Sequence, residues 1–242
     1  MYDLESRIRY SEVDKDGFLT VGSIINYFQD CSTFQSEDLG VGVAYLKEHR
    51  TAWILNAWQI DFVELPRLGD RITVGTWAYA FKGIYGYRNF LIKEIDGKEL
   101  VKANSIWIYM DLEQGKPIKA EGEHIKKYEI SDQLDMTYSP RKVVIPKGGS
   151  VQEPIVVQRH SIDTNQHVNN GQYIQFALDY LPEAQKWKQL RAEYRKAAVL
   201  GDVMIPRVIQ SGWNAYIAME DREGNSYVNI ELIGREEPVV NC

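Results

Sequence analysis

Residues 161–179 read SIDTNQHVNNGQYIQFALD. Polar residues run almost unbroken from Asp163 to Asn170, and one of the chain's four histidines, His167, lies among them. An amphipathic segment follows at once. The same order recurs near the start of the chain, where residues 12–30 read EVDKDGFLTVGSIINYFQD. Aligned without gaps, Asp14 falls on Asp163, Asp16 on Asn165, Gly22 on Gly171, Ile25 on Ile174, Tyr27 on Phe176 and Asp30 on Asp179. Both copies pass from a polar turn into a helix-like segment, which marks an internal duplication. Their chemistry differs. Phe18 stands where His167 stands, and Thr20-Val21 replaces Asn169-Asn170.

A second match follows each helix in the same order. WQIDFVELPRLGDRITV (58–74) resembles LRAEYRKAAVLGDVMIP (190–206), with Asp61-Phe62 on Glu193-Tyr194 and Gly69-Asp70 on Gly201-Asp202. In the first copy, Thr20 is a good cap for a helix running to about Leu39, which Gly40 and Gly42 end. Its apolar residues are Ile24, Ile25, Tyr27, Phe28 and Phe34. Period-2 segments follow at 52–63, 70–81, 85–95 and 99–111, with a turn at Asp96-Gly97. In the second copy, Asn169 or Asn170 caps a helix to about Leu181, and strands follow at 190–199, 203–213, 215–223 and 226–236. The spacing predicts an α+β chain of two tandem units, each a long helix covered by a mainly antiparallel sheet. The units span residues 1–125 and 151–242, and 126–150, with Pro140, Pro146 and Gly148-Gly149, reads as a linker.

The chain has 242 residues, 44% hydrophobic and 26% charged, as in a globular protein that buries a sizeable core. A net charge of -6 argues against nucleic acid as the main partner, which wants a basic face. No apolar run is long enough to span a bilayer, and the first residues lack the apolar core of a signal peptide, so cytoplasmic residence is expected. The two cysteines, Cys31 and Cys242, have neither metal-ligand nor disulfide-framework spacing. Nucleotide loops and zinc motifs are absent, so neither cofactor nor metal is expected.

The motif Asp163-Thr164-Asn165-Gln166-His167-Val168-Asn169-Asn170 before a helix resembles the hotdog-fold thioesterases. Two such units, with the histidine in the second, resemble the acyl-ACP thioesterases of bacteria and plants. Glu193-Tyr194-Arg195-Lys196 and the segment Trp53 to Asp70 carry the rest of the likeness, which covers nearly the whole chain. The resemblance implies a double hotdog and hydrolysis of fatty acyl-ACP to free fatty acid and acyl carrier protein (ACP). It also implies an acyl-chain pocket in the first unit and catalytic Asp163, Asn165 and His167 in the second. At two positions where the plant enzymes continue with Glu-Cys, this sequence has Ala197 and Ala198. A cysteine nucleophile is therefore not carried over, and attack by an activated water is the expected mechanism.

The residues fit that chemistry. Thioester hydrolysis needs an aimed water, a base, and donors where the carbonyl oxygen becomes negative. His167 is the best base or proton shuttle, since histidine is the usual general base of such reactions, Asp163 can orient it, and Asn165 offers a donor and an acceptor. Backbone N–H groups at Asn170 and Gly171 open a helix and are candidate oxyanion donors. Glu193 is a possible supporting carboxylate. The partner would be ACP bearing an acyl chain, met by a local basic patch drawn from Arg141, Lys142 and Lys147 or from Lys186, Lys188, Arg191, Arg195 and Lys196. The chain would act as a monomer or homodimer. An acyl-CoA thioesterase of the same fold is the second reading, and a non-catalytic acyl-binding protein the third, kept open by Ala197-Ala198.

Overall fold

Two units make up the chain, Met1–Arg141 and Lys142–Cys242. The computed structural model describes residues 1–182 and 186–235, so Cys242 lies outside the described residues. The stretch 126–150 is divided at that boundary, its first part belonging with the first unit and its remainder with the second.

In the first unit, β1 (Tyr2–Arg7) precedes a 3-10 turn at Tyr10–Glu12 and helix α1 (Val21–Asp38). The Thr20 hydroxyl accepts the Ser23 N–H at 3.2 Å and starts the helix. Ile24, Ile25, Tyr27, Phe28 and Cys31 recur every three or four residues and form its buried stripe. Phe34, three residues past Cys31, is nevertheless 45% exposed, unlike the core residue the composition suggested. A short helix unforeseen in the sequence, α2 (Val43–Glu48), follows. Four long strands come next: β2 (Thr51–Phe62), β3 (Arg71–Lys82), β4 (Tyr85–Glu94) and β5 (Glu99–Asp111). They lie within a residue of the alternating segments. A two-residue strand β6 (Lys116–Pro117) and a single helical turn α3 (Glu123–Lys126) close the series. The antiparallel order is β1-β3-β4-β5-β2, with β6 on the β5 edge.

Alternation along the strands sends Phe90 and Trp58 to the α1 side, where they meet Phe28. Gln59 and Asn89 take the other side. There they hold residues 132–139 by their backbone. Trp77 Nε1 donates to Asp132 O (2.8 Å), Asn89 Oδ1 accepts from Leu134 N–H (3.1 Å), and Gln59 spans Thr137 O (2.7 Å) and Ser139 N–H (2.8 Å). This stretch looked like a linker because its contacts are polar and main-chain, and such contacts leave no hydrophobic period.

The α2–α3 region carries a testable pH dependence. His124 Nε2 is buried without a hydrogen-bond partner among the described residues. Its ring lies 5.4 Å from Tyr109 and 5.8 Å from Tyr45, which stacks on His49 at 3.9 Å. Burial, and secondarily the nearby His49, hold its pKa below the ordinary value. The unfolded chain therefore takes up this proton first as pH falls. The contribution is complete above about pH 6.5, the unfolded value, and is lost as pH drops toward the lowered folded value. The thermal midpoint should fall between about pH 7 and pH 5, and His124→Phe should remove part of that fall.

In the second unit, short strands β7 (Ser150–Val151) and β8 (Ile155–Val156) precede a 3-10 turn at Arg159–Ser161 and helix α4 (Asn170–Leu178). Strands β9 (Trp187–Tyr194), β10 (Val203–Ser211), β11 (Asn214–Glu220) and β12 (Ser226–Gly234) complete it. The antiparallel order is β9-β12-β11-β10, with β7 and β8 on the β10 edge. Helix α4 ends three residues before the expected Leu181. The Tyr180 and Leu181 N–H groups reach back only three residues, to Ala177 and Leu178, and tighten the chain ahead of Pro182. Strand β9 also stops early, because the Arg195 and Lys196 N–H groups both turn to Tyr227 O.

Candidate active site

The quoted motif forms a tight turn built by Asp163. Its Oδ1 accepts the N–H of Asn165 (2.8 Å) and of His167 (3.3 Å), while its own N–H donates to His167 O (2.8 Å). Gln166 sits at the apex with φ 64°, a left-handed conformation costly for a residue with a Cβ. Ile162 and Val168 bridge across the base, and Asn169 Oδ1 accepts the Gly171 N–H (2.8 Å) to cap α4.

The first unit builds the same turn bond for bond. Asp14 Oδ1 accepts the N–H of Asp16 and of Phe18, both at 2.9 Å, Asp14 N–H donates to Phe18 O, and Gly17 holds the apex at φ 80°. The companion loops match too. Leu19 N–H donates to Pro66 O as Val168 N–H does to Ala198 O, and Gly69 and Gly201 have φ 89° and 87°. Asp163 therefore serves the shared frame first. Asp163→Ala and Asp14→Ala should each lower unfolding stability by about 1–3 kcal/mol. Asp163→Asn keeps the accepting oxygen and should cost much less in a urea titration. Any activity lost in Asp163→Asn then reports the carboxylate's charge rather than the turn.

What the second copy adds is side chains on this frame. His167 is half-buried, and its imidazole makes no hydrogen bond among the described residues; Asn165 is exposed on the same turn. The Gly171 N–H is already taken by the Asn169 cap, so the pair of oxyanion donors expected from sequence loses that member. Asn170, the first helical residue, stays at the helix N-terminus, and its carbonyl accepts the Tyr194 hydroxyl at 2.9 Å.

Two tyrosines to which sequence reasoning attached no role tie this turn to β9 and the loop after it. Tyr173 Oη accepts the Ala198 N–H (2.8 Å), and Tyr173 meets Tyr194 edge-on at 5.8 Å. Burial pushes the Tyr173 phenol to about 12 and raises Tyr194 further, so both stay neutral and act as hydrogen-bonding struts. Tyr173 had no sequence signal beyond an aromatic on a core helix, and Tyr194 was marked only as the repeat partner of Phe62 and as part of Glu193-Tyr194-Arg195-Lys196, with no role attached. Ala198 is fully buried and Ala197 exposed.

Glu193 is placed elsewhere. It alternates with Tyr194 on β9, so it faces away from α4, and its Oε2 accepts the Val143 N–H at 3.1 Å. Its cross-strand partner Asn229 donates to Val143 O at 3.4 Å. No hydrogen bond or ion pair joins Glu193 to the motif turn among the described residues. Cys31 is no nucleophile: it is fully buried on α1, donates to Val74 O at 3.2 Å, and burial raises its thiol to about 12. Of the expected basic groups, Arg191 pairs with Glu231 at 2.5 Å and Lys196 with Asp221 at 3.1 Å. Lys142, Lys147, Lys186, Lys188 and Arg195 are exposed. No three His, Cys, Asp or Glu residues gather to hold a metal among the described residues.

Comparison with known families settles the kinship. Residues 1–128 match the acyl-ACP thioesterase N-terminal domain, and residues 146–232 match the acyl-ACP thioesterase C-terminal domain. The chain belongs to the acyl-ACP thioesterase family. Relatives include a chloroplastic acyl-[acyl-carrier-protein] hydrolase of Cuphea viscosissima, 24% identical over 214 residues that make up 81% of this chain and 51% of the relative. A palmitoyl-acyl carrier protein thioesterase of Arabidopsis thaliana is 24% identical over 208 residues, 78% of this chain and 50% of its own. The chain thus spans about half the length of the curated relatives it matches. An acyl-ACP thioesterase of Bacteroides thetaiotaomicron superposes with a TM-score of 0.87 over 96% of this chain and 97% of its own, at 24% identity. The 12:0-ACP thioesterase of Umbellularia californica gives 0.85 over 98% and 97%, at 18% identity. The family's double hotdog is the fold of this chain, α+β in both units. No helix among the described residues is long and apolar enough to cross a membrane.

Proposed function

We propose that the chain hydrolyses fatty acyl-ACP to free fatty acid and ACP by attack of water. One observation carries the reading: a family member repeats one turn twice, bond for bond, and sets a histidine on only one copy. His167 takes the proton of the attacking water. The new C–O bond forms as the carbonyl oxygen becomes negative near the N-terminus of α4 at Asn170. The C–S bond then breaks, and the proton reaches the departing sulfur, giving a carboxylic acid and the ACP thiol. Asn165 aims the water or the carbonyl, Asp163 fixes the backbone that presents both, and Glu193 holds Val143 instead of acting in the reaction.

The test is thiol release from acyl-ACP and acyl-CoA of several chain lengths by the purified protein. Release from acyl-ACP well above that from acyl-CoA supports the assignment. Equal release from both makes the protein a general acyl thioesterase, and no release from either sinks the hydrolytic reading in favour of acyl binding.

A further inference from the structure

The two units differ in more than His167. The alignment that sets Phe18 against His167 also sets Ile24 against Tyr173, and the one that sets Phe62 against Tyr194 sets Pro66 against Ala198. At each of these places the second unit carries a polar group that the first lacks. Ile24 and Phe62 have no hydroxyl, and Pro66 has no N–H. In the second unit the added groups bond to one another and to the helix. Tyr173 Oη accepts the Ala198 N–H at 2.8 Å, and Tyr194 Oη donates to Asn170 O at 2.9 Å.

The duplicated frame does not require these bonds. The first unit builds the same turn and the same link from Leu19 N–H to Pro66 O without them. Ile24 and Phe62 are buried there, as Tyr173 and Tyr194 are in the second unit, and they fill their places with hydrocarbon alone. Packing suffices for the frame, and the two hydroxyls, like the imidazole, belong to one copy only.

Their bonds join the residue after His167 to the first turn of α4. Val168 N–H donates to Ala198 O at 2.9 Å, and Ala198 N–H donates to Tyr173 on α4. Tyr194, at the end of β9, holds the carbonyl of the first residue of that helix. A base and an oxyanion donor work together only when both reach the same water and carbonyl. A misplacement of about 1 Å can cost about 10²-fold in rate.

We infer that Tyr173 and Tyr194 are positioning residues for thioester hydrolysis, their hydroxyls holding His167 and the N-terminus of α4 at a fixed spacing. The inference rests on the reading of His167 as the base in that hydrolysis.

The experiment measures thiol release from acyl-ACP, steady-state and single-turnover, alongside melting curves. It uses Tyr173→Phe and Tyr194→Phe, each with and without His167→Ala. Each single variant should lower kcat about ten- to a hundredfold, with KM changed less than about twofold. In the His167→Ala background the same changes should lower the residual rate less than about threefold, because no imidazole is left to position. A purely structural role would lower the active fraction by the same factor in both backgrounds. Equal losses in the two backgrounds, or wild-type kcat in a folded phenylalanine variant, overturn the assignment. Tyr194→Phe is the milder change, since the carbonyl of a first helical residue also receives the N–H four residues on, whereas Tyr173→Phe leaves the Ala198 N–H without its acceptor. A variant that fails to fold makes its hydroxyl part of the fold and overturns the assignment for that residue. No release by the wild type, or full release by His167→Ala, overturns the reading of His167 itself and this inference with it.

Discussion

Replacing His167 with alanine is expected to lower acyl-thioester hydrolysis by about 10²- to 10⁴-fold, the usual worth of a positioned general base, with little change in thermal midpoint. The turn is held by main-chain groups of residue 167: its N–H reaches Asp163 Oδ1 and its carbonyl accepts the Asp163 N–H. Alanine keeps both. The first unit shows that the turn needs no imidazole, since Phe18 occupies the equivalent place with the same two bonds. Single-turnover thiol release, measured alongside a melting curve, checks both halves. Full activity in a folded His167→Ala protein would move the base elsewhere, and a collapsed midpoint would make the histidine structural.

Phe28→Ala should cost about 3–5 kcal/mol of unfolding free energy, the range for a buried phenylalanine reduced to alanine. Phe28 is fully buried where α1 meets the sheet, with its ring 4.9 Å from Phe90 and 5.7 Å from Trp58. The three rings come from α1, β2 and β4, so the surrounding chain has little freedom to collapse into the space. Phe34→Ala, six residues along the same helix, should stay within about 0.5 kcal/mol because Phe34 is largely exposed. Urea titrations of the two variants test the pair. A loss below about 1 kcal/mol for Phe28→Ala would mean that this aromatic junction is not the centre of the first unit's core.

The two phenylalanines also show where sequence reading stops. Both sit in an amphipathic helix of correct start and end, yet composition alone ranked them together. Which of them the sheet covers depends on how the helix lies on it. Strand limits were legible because alternation is a local consequence of one face meeting the core. Helix α2 was hidden because its six residues are too few to show a period. The same holds at the site. Asp163, Asn165 and His167 stood out by spacing, whereas the Tyr173 and Tyr194 struts and the placement of Glu193 away from the turn had no local signature.

By itself the sequence determined the duplication, the order of helix and strands in each unit, the turn residues and the one histidine that breaks the repeat. These are properties of neighbours along the chain, encoded in φ/ψ preference, capping and hydrophobic period. Only the tertiary structure decided which N–H groups Asp163 accepts in the shared frame, that the Gly171 N–H is spent on its cap, and that residues 132–139 lie across the sheet. It also decided that Arg88, buried in mid-β4, is held by Gln35 and Thr76 with no carboxylate partner among the described residues. Each of these depends on which distant group satisfies a hydrogen bond or a charge, and that partner is fixed by packing rather than by sequence spacing.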